Sequence, residues 1–403
     1  MKRITFLLFS TLLLMSCSEG SQDDRNEKYQ PIALSQSQKE ITVGVNSLAF
    51  NLLDYVVQPA NNKDTFISPF SLSACLSLIA NGADSTTLEQ IMAVLGFEGK
   101  SLEELNDYYE LILNALSKAD RKVDFLSANS VWVAPGLELY DDYVGRVEES
   151  YMAEVDNVDF STQEGVDRIN RWCSNHTNGK ISKFLERPDN QLRLLLANAL
   201  YFNGSWQDEF KVVLPRTFTH ADGSTSTYDS MVATRQLAYY SDANLSCVEI
   251  PYGNGAYVMD LILPNTSAAI DATAAYLQQE NVWQQVVQGL THKNVALQFP
   301  KFRIENSVEM TKMLKSLGMP EAFTPMADFS KMSPSELMLS WVLQKSYVDV
   351  TEKGTTAAAV TGGGMIDSAA PPFDAVEFIA DRPFFFLIRE RSTGVVIFVG
   401  LKA

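Results

Sequence analysis

Glu352-Lys353-Gly354-Thr355-Thr356-Ala357-Ala358-Ala359-Val360-Thr361 precedes a strongly apolar block, Asp381-Arg382-Pro383-Phe384-Phe385-Phe386-Leu387-Ile388. The second stretch reads as a core strand. The first does not, because a glycine followed by small side chains offers little to pack. It suits a strand that enters a sheet after the sheet has formed, since nothing bulky blocks its path. If Thr355 faces the core, then Ala357, Ala359, Thr361, Gly363, Met365 and Asp367 share its face, and the first several are small. No proline lies between Gly354 and Ala370, so every residue of such a strand can donate a backbone hydrogen bond. Pro371-Pro372 comes after it.

The chain has 403 residues, 46% of them hydrophobic and 20% charged. That supports a large core. No Pro/Ser-rich or charged linker interrupts the sequence after about residue 37, so residues 37–403 read as one domain. Ahead of it, Lys2 and Arg3 begin a targeting segment. The apolar run from Thr5 to Ser16 is too short to span a bilayer. Leu14-Met15-Ser16-Cys17 resembles a bacterial lipoprotein processing box. Residues 1–17 are therefore expected to be a signal peptide, Cys17 the lipidated mature N-terminus, and residues 18–36 a polar tether. The protein is expected to be exported, lipid-anchored to the cell envelope and exposed at its surface. A net charge of −17 argues against nucleic-acid binding, which needs clustered cations.

Cys75, Cys173 and Cys247 lack close spacing, and their odd number excludes complete internal pairing. They read as buried free thiols. His176, His220 and His292 are the only histidines, and there is no HExxH or paired-Cys pattern. No metal site or cofactor is expected. Catalysis finds no support either: there is no GxSxG elbow, and Gly362-Gly363-Gly364 lacks the lysine of a phosphate loop.

Helical spacing marks Val43–Val57, a segment through Ile79, Thr86–Leu95, Glu103–Ala115, Asp141–Tyr151, Val166–Thr177 and Asn306–Leu317. Strands are expected at Leu126–Val133, Val155–Phe160, Arg193–Phe202, Cys247–Ile250, Val258–Leu263, Val295–Ile304, Leu343–Val350 and Val395–Val399. Helices dominate early and strands late. This is the signature of an α+β fold with mixed sheets covered by a helical half.

Several motifs agree in order and spacing with one family. Asn198-Ala199-Leu200-Tyr201-Phe202-Asn203-Gly204-Ser205-Trp206, Phe299-Pro300-Lys301-Phe302, the Gly354 hinge and Phe378–Ile388 together resemble the serpins, over about residues 37–403. The resemblance implies the serpin fold, with a reactive loop at about 355–372 displayed to a target serine protease, and also to cysteine proteases. It implies a monomer that traps its target covalently: the protease cuts the loop, and the loop then inserts as a new strand. Glu352, Gly354, Thr355, Thr356, Ala357, Ala358 and Ala359 would form the hinge. Ser68, Ser71, Asn198 and Gln344 resemble the polar cluster beneath the opening sheet, with Gln344 in place of the family's histidine. Trp206 and a Lys301–Glu352 ion pair resemble the region where the hinge enters. Thr356 stands where the family usually has an acid. The triple glycine is unusual and raises the entropy cost of ordering a strand.

The family's usual spacing from Gly354 places the attacked bond at Ser368-Ala369. Counting back from Pro383 instead points to cleavage after Ala369, before Ala370, and an Asp-directed enzyme would cut after Asp367. Small residues on both sides, with no Arg or Lys between Thr355 and Ala380, favour an elastase-like target. The alternative is a surface binding protein that uses the same fold without inhibition. The proline-free, small-residue hinge favours the inhibitor.

Overall fold

The computed structural model describes residues 28–57, 63–265, 269–355 and 374–403. Its helices are α1 (Gln36–Asn51), α2 (Leu53–Val57), α3 (Pro69–Ala80), α4 (Ser85–Leu95), α5 (Leu102–Leu116), α6 (Asp141–Tyr151), α7 (Gln163–His176), α8 (Ile270–Leu277), α9 (Val282–Gly289) and α10 (Thr311–Leu317). The first strands are β1 (Thr65–Ile67), β2 (Val123–Val133), β3 (Ala153–Asn157), β4 (Leu194–Ser205), β5 (Val212–Thr219), β6 (Thr225–Ser241), β7 (Leu245–Pro251) and β8 (Tyr257–Pro264). The rest are β9 (Thr291–Pro300), β10 (Phe302–Glu309), β11 (Leu343–Thr351), β12 (Gly354–Thr355), β13 (Val376–Ile379), β14 (Phe384–Glu390) and β15 (Val396–Lys402).

Two sheets hold these strands. A nine-stranded sheet runs β1-β15-β14-β8-β7-β6-β9-β13, with β5 paired to β6. A six-stranded sheet runs β10-β11-β12-β4-β2-β3. Every residue of β14 and β15 is buried, so the apolar C-terminal block is the centre of the core. Phe66 of β1 stacks between Phe386 and Phe398, with ring centroids 5.7 and 4.7 Å away. Gly400 is needed there, because a Cβ would lie 2.3 Å from the Phe386 ring.

Local sequence sets the helix ends. Ser35 with Gln38, and Ser101 with Glu104, form capping boxes on α1 and α5. Ser68 caps α3, with Pro69 in the first turn. All twelve residues of α3 are buried, so this helix threads the core. In α7, Val166, Ile169, Trp172 and Cys173 face inward, a helical stripe that packs on the outer face of β2 and β4. No helix among the described residues is long and apolar enough to cross a membrane.

Four readings from sequence are corrected. Val295–Ile304 is two strands in different sheets, β9 and β10, separated at Lys301. The Lys301 N–H turns aside to donate to Asp229 O at 2.7 Å. Asn306–Glu309 continues β10 along β11, and the helix begins only at Thr311. The opening helix divides at Leu52 into α1 and α2. The extended segment expected to reach Phe160 ends as a strand at Asn157. The long β5–β6 hairpin went unread because much of β5 is exposed and mixed in polarity.

Candidate functional site

After β11 the chain turns through Glu352 and Lys353 and re-enters the sheet as β12. Only Gly354 and Thr355 form this strand. β12 is antiparallel to both neighbours: Thr355 stands opposite Val350 and Gly204, and Gly354 opposite Thr351 and Ser205. β11 and β4 therefore run parallel, with one strand position between them. Gly354 has φ +152°, and a Cβ would meet Gly204 O at 2.1 Å and Ser205 Cα at 2.7 Å. Backbone fills that space, so no larger residue fits.

Thr355 is 1% exposed, and its hydroxyl shares a 2.6 Å hydrogen bond with Tyr252 OH. Trp206 stacks on Tyr252 with centroids 4.4 Å apart. Its indole N–H donates to Thr351 O at 2.8 Å, and its backbone N–H donates to Lys353 O at 2.9 Å. The Phe210 N–H donates to Glu352 O at 2.8 Å. Lys301 Nζ lies 2.7 Å from Glu352 Oε2, and the hydrogen bond from Lys301 holds the Glu352 carboxyl below its ordinary range. Hinge, tryptophan and ion pair thus form one assembly around the mouth of the strand position.

Deeper along the same position lies a polar chain. Gln344 of β11 satisfies both backbone groups of Ser68: its Oε1 accepts from Ser68 N at 2.9 Å, and its Nε2 donates to Ser68 O at 2.8 Å. Ser68 Oγ accepts from Ser71 N at 3.1 Å and donates to Ile397 O at 2.7 Å. The Ser71 hydroxyl donates to Asn198 of β4. Asn198 Nδ2 donates to Asn129 Oδ1 at 2.7 Å, and Asn129 Nδ2 to Tyr151 O at 2.8 Å. The start of α3 therefore ties β11 to β4 from below. Such a fully satisfied network holds the two strands in place.

Sequence reasoning missed Asn129, Tyr252 and Thr351. Asn129 stands directly opposite Asn198, a pairing visible only once the strand register is known. Thr356, Ala357, Ala358, Ala359, Asp367, Ser368, Ala369, Ala370 and Cys17 lie outside the described residues.

Cys75, Cys173 and Cys247 are buried free thiols. Burial pushes Cys75 and Cys173 up to about 12. Among the described residues no group of His, Cys, Asp and Glu is placed to hold a metal.

The comparisons with known proteins agree with this architecture. The sequence profile of the serpin family (serine protease inhibitor) matches residues 43–402. The chain is 31% identical over 380 residues to an uncharacterized serpin-like protein of Thermococcus kodakarensis, covering 93% of this chain and 87% of that one. It is 30% identical over 377 residues to intracellular coagulation inhibitor 2 of Tachypleus tridentatus, covering 91% of each. Among solved structures, the thermophilic serpin tengpin in its native state matches with a TM-score of 0.82 at 29% identity, covering 93% of this chain and 96% of that one. With the hinge seated between β11 and β4 and the match running through nearly the whole domain, the chain belongs to the serpin family.

Proposed function

We propose that this chain is a suicide-substrate inhibitor of serine proteases, and of cysteine proteases that form an acyl-enzyme, with a preference for elastase-like enzymes. One observation carries the reading. Gly354 and Thr355 already form the first rungs of a strand between β11 and β4, and the residues that follow are small and free of proline. The protease serine attacks the carbonyl carbon of Ser368, and the amine of Ala369 leaves. The new acyl ester links Ser368 to the enzyme. Before water reaches the ester, the freed loop extends β12 down the sheet and carries the protease with it.

In the inserted state proposed here, a strand continuing β12 in register would bring Ala357 opposite Val348 and Phe202, Ala359 opposite Ser346 and Leu200, and Thr361 opposite Gln344 and Asn198. About 20 ladder bonds at about 0.5–1.5 kcal/mol net each give on the order of 10–30 kcal/mol before entropy costs. That is enough to distort a bound enzyme whose own stability is about 5–15 kcal/mol. The native state is then a kinetic trap.

The test is incubation of residues 18–403 with pancreatic or neutrophil elastase, read on a denaturing gel. The expected result is a complex that survives boiling, with a released peptide starting at Ala369 or a neighbour. Cleavage without a complex for every protease tried overturns the inhibitor reading and favours a binding protein on the serpin scaffold.

The proposal extends to location. Export and acylation of Cys17 would hold the domain at the envelope surface on the tether of residues 18–36, since two or more acyl chains anchor firmly. Cys17→Ser is expected to move the protein from the detergent to the aqueous phase. Unchanged partitioning would refute the anchor.

A further inference from the structure

At the end of β4 and β11 remote from the hinge, the chain entering β4 and the chain entering β11 enclose a hollow of about 200 Å³. Its floor is apolar: Leu194, Phe329, Met332, Leu337 and Leu339. Phe329 and Met332 belong to the main core, and the three leucines pack against it. Backbone bonds pin the floor at two points. Met332 O accepts from Tyr140 N at 3.0 Å, and Leu339 N donates to Ala322 O at 2.8 Å. The hollow is therefore a built depression, open to solvent on one side past Met338, which is 51% exposed.

Two charged side chains stand on the rim, Arg193 on the β4 side and Glu336 on the β11 side. Both are exposed. Neither side chain has an ion pair or hydrogen bond among the described residues, with each other or with any neighbour. Nearby charges on the same segment do have partners: Lys331 Nζ lies 3.2 Å from Asp84 Oδ2, and Glu321 Oε1 accepts from Thr87 Oγ1 at 3.1 Å. The rim thus offers one cation and one anion, held apart across an apolar floor.

Size and charge together select a ligand. An apolar cavity of about 150 Å³ holds benzene, so about 200 Å³ takes a leucine or phenylalanine side chain. It is too small for a drug-sized molecule, which needs roughly 300 Å³ or more. A plain carboxylate would gain Arg193 and be repelled by Glu336, and a plain amine would meet the reverse. A group carrying both charges next to an apolar side chain satisfies the whole rim, with the guanidinium able to take the carboxylate through two hydrogen bonds.

We propose that this hollow is a binding site for a free α-amino acid with an aliphatic or aromatic side chain. The side chain fills the hollow, the carboxylate meets Arg193 and the ammonium meets Glu336. The bound molecule bridges the chain entering β4 to the chain entering β11, so it stabilises the intact fold by mass action. No residue of the reactive loop takes part, and the site stands or falls apart from the inhibitor reading.

The test is a titration of residues 18–403, labelled at the methionine methyl groups, with L-leucine and L-phenylalanine, followed by NMR. Met332 and Met338 line the hollow, whereas Met326, 76% exposed, does not and serves as the control. The methyl signals of Met332 and Met338 are expected to move saturably and that of Met326 to stay. N-acetyl-L-leucine lacks the ammonium, L-leucine amide lacks the carboxylate and L-serine lacks the apolar side chain. Each is expected to bind at least fivefold more weakly than L-leucine. Arg193→Gln and Glu336→Gln, both at exposed and unpaired positions, are expected to keep the unfolding midpoint of the free protein and to weaken L-leucine at least fivefold. Absence of saturable shifts at Met332 and Met338 overturns the proposal. So does equal binding of L-leucine and either capped form, which would mean that a chain terminus suffices, and so does binding indifferent to both substitutions.

Discussion

Thr355→Arg is expected to abolish the covalent complex while leaving the loop fully cleavable. Thr355 is buried, its hydroxyl is taken by Tyr252, and its neighbours on the two strands are Gly204 and Val350. None of these offers a countercharge. A guanidinium placed there must either stay in water, keeping the hinge out of the sheet, or be buried unpaired. An unpaired buried charge costs about 3–5 kcal/mol. At about 1.4 kcal/mol per tenfold, the partition between trapping and simple cleavage moves by more than about a hundredfold. Quantifying complex and cleaved inhibitor on a denaturing gel checks this. A variant that still traps would show that the first rungs of β12 are not where insertion begins. Thr355→Val, which keeps the shape and loses only the bond to Tyr252, is expected to trap nearly normally.

Arg389→Met is expected to cost about 3–5 kcal/mol of native stability. Arg389 ends the apolar run of β14 and is 1% exposed. Its Nε donates to Asp260 Oδ2 at 2.7 Å, and its Nη2 also reaches Glu249. Arg391 Nε donates to the other oxygen of Glu249 at 3.1 Å. Removing Arg389 leaves Asp260 with no cation in contact and Glu249 with only Arg391. Burial already pushes the Asp260 carboxyl up to about 6, against the pull of Arg389. A carboxyl raised on folding binds its proton more tightly in the native state. Its contribution to stability is therefore present below about 4, the unfolded value, and is lost as pH rises through about 6. Without Arg389 the carboxyl rises further, so the deficit of the variant is expected to be larger at pH 8 than at pH 5.5. Urea midpoints at the two pH values measure it. An equal deficit at both would mean that packing, not charge, is what Arg389 supplies.

The parts of the fold that were legible in the sequence are those where one residue type has a single physical use. Phe384–Ile388 reads as core, and Gly354 marks a place where backbone leaves no room for a side chain. Ser68, Ser71, Asn198 and Gln344 were placed through the family resemblance, and the structure brings all four into one hydrogen-bonded chain. What was not legible depends on pairings distant in sequence. The alternation of β9 runs into that of β10, and only the backbone turn at Lys301 sends them to different sheets. Tyr252 reads as an ordinary core aromatic until the register brings Thr355 to its hydroxyl. Asn129 reads as a polar residue in a strand until it is seen opposite Asn198. The segment between α7 and β4 carries no periodic signal, and its Glu186–Lys345 contact joins residues far apart in the chain.

The central claim is that the intact fold holds an unfilled gain in stability that loop cleavage releases. The measurement that tests it most directly is the thermal unfolding midpoint of residues 18–403 before and after a single cut in the loop, with the two fragments kept together. Completing the strand between β11 and β4 is expected to raise the midpoint by about 20 °C or more, given roughly 2–4 °C per kcal/mol for a large domain. An unchanged midpoint would contradict the account, because the loop would then have gained nothing by being cut.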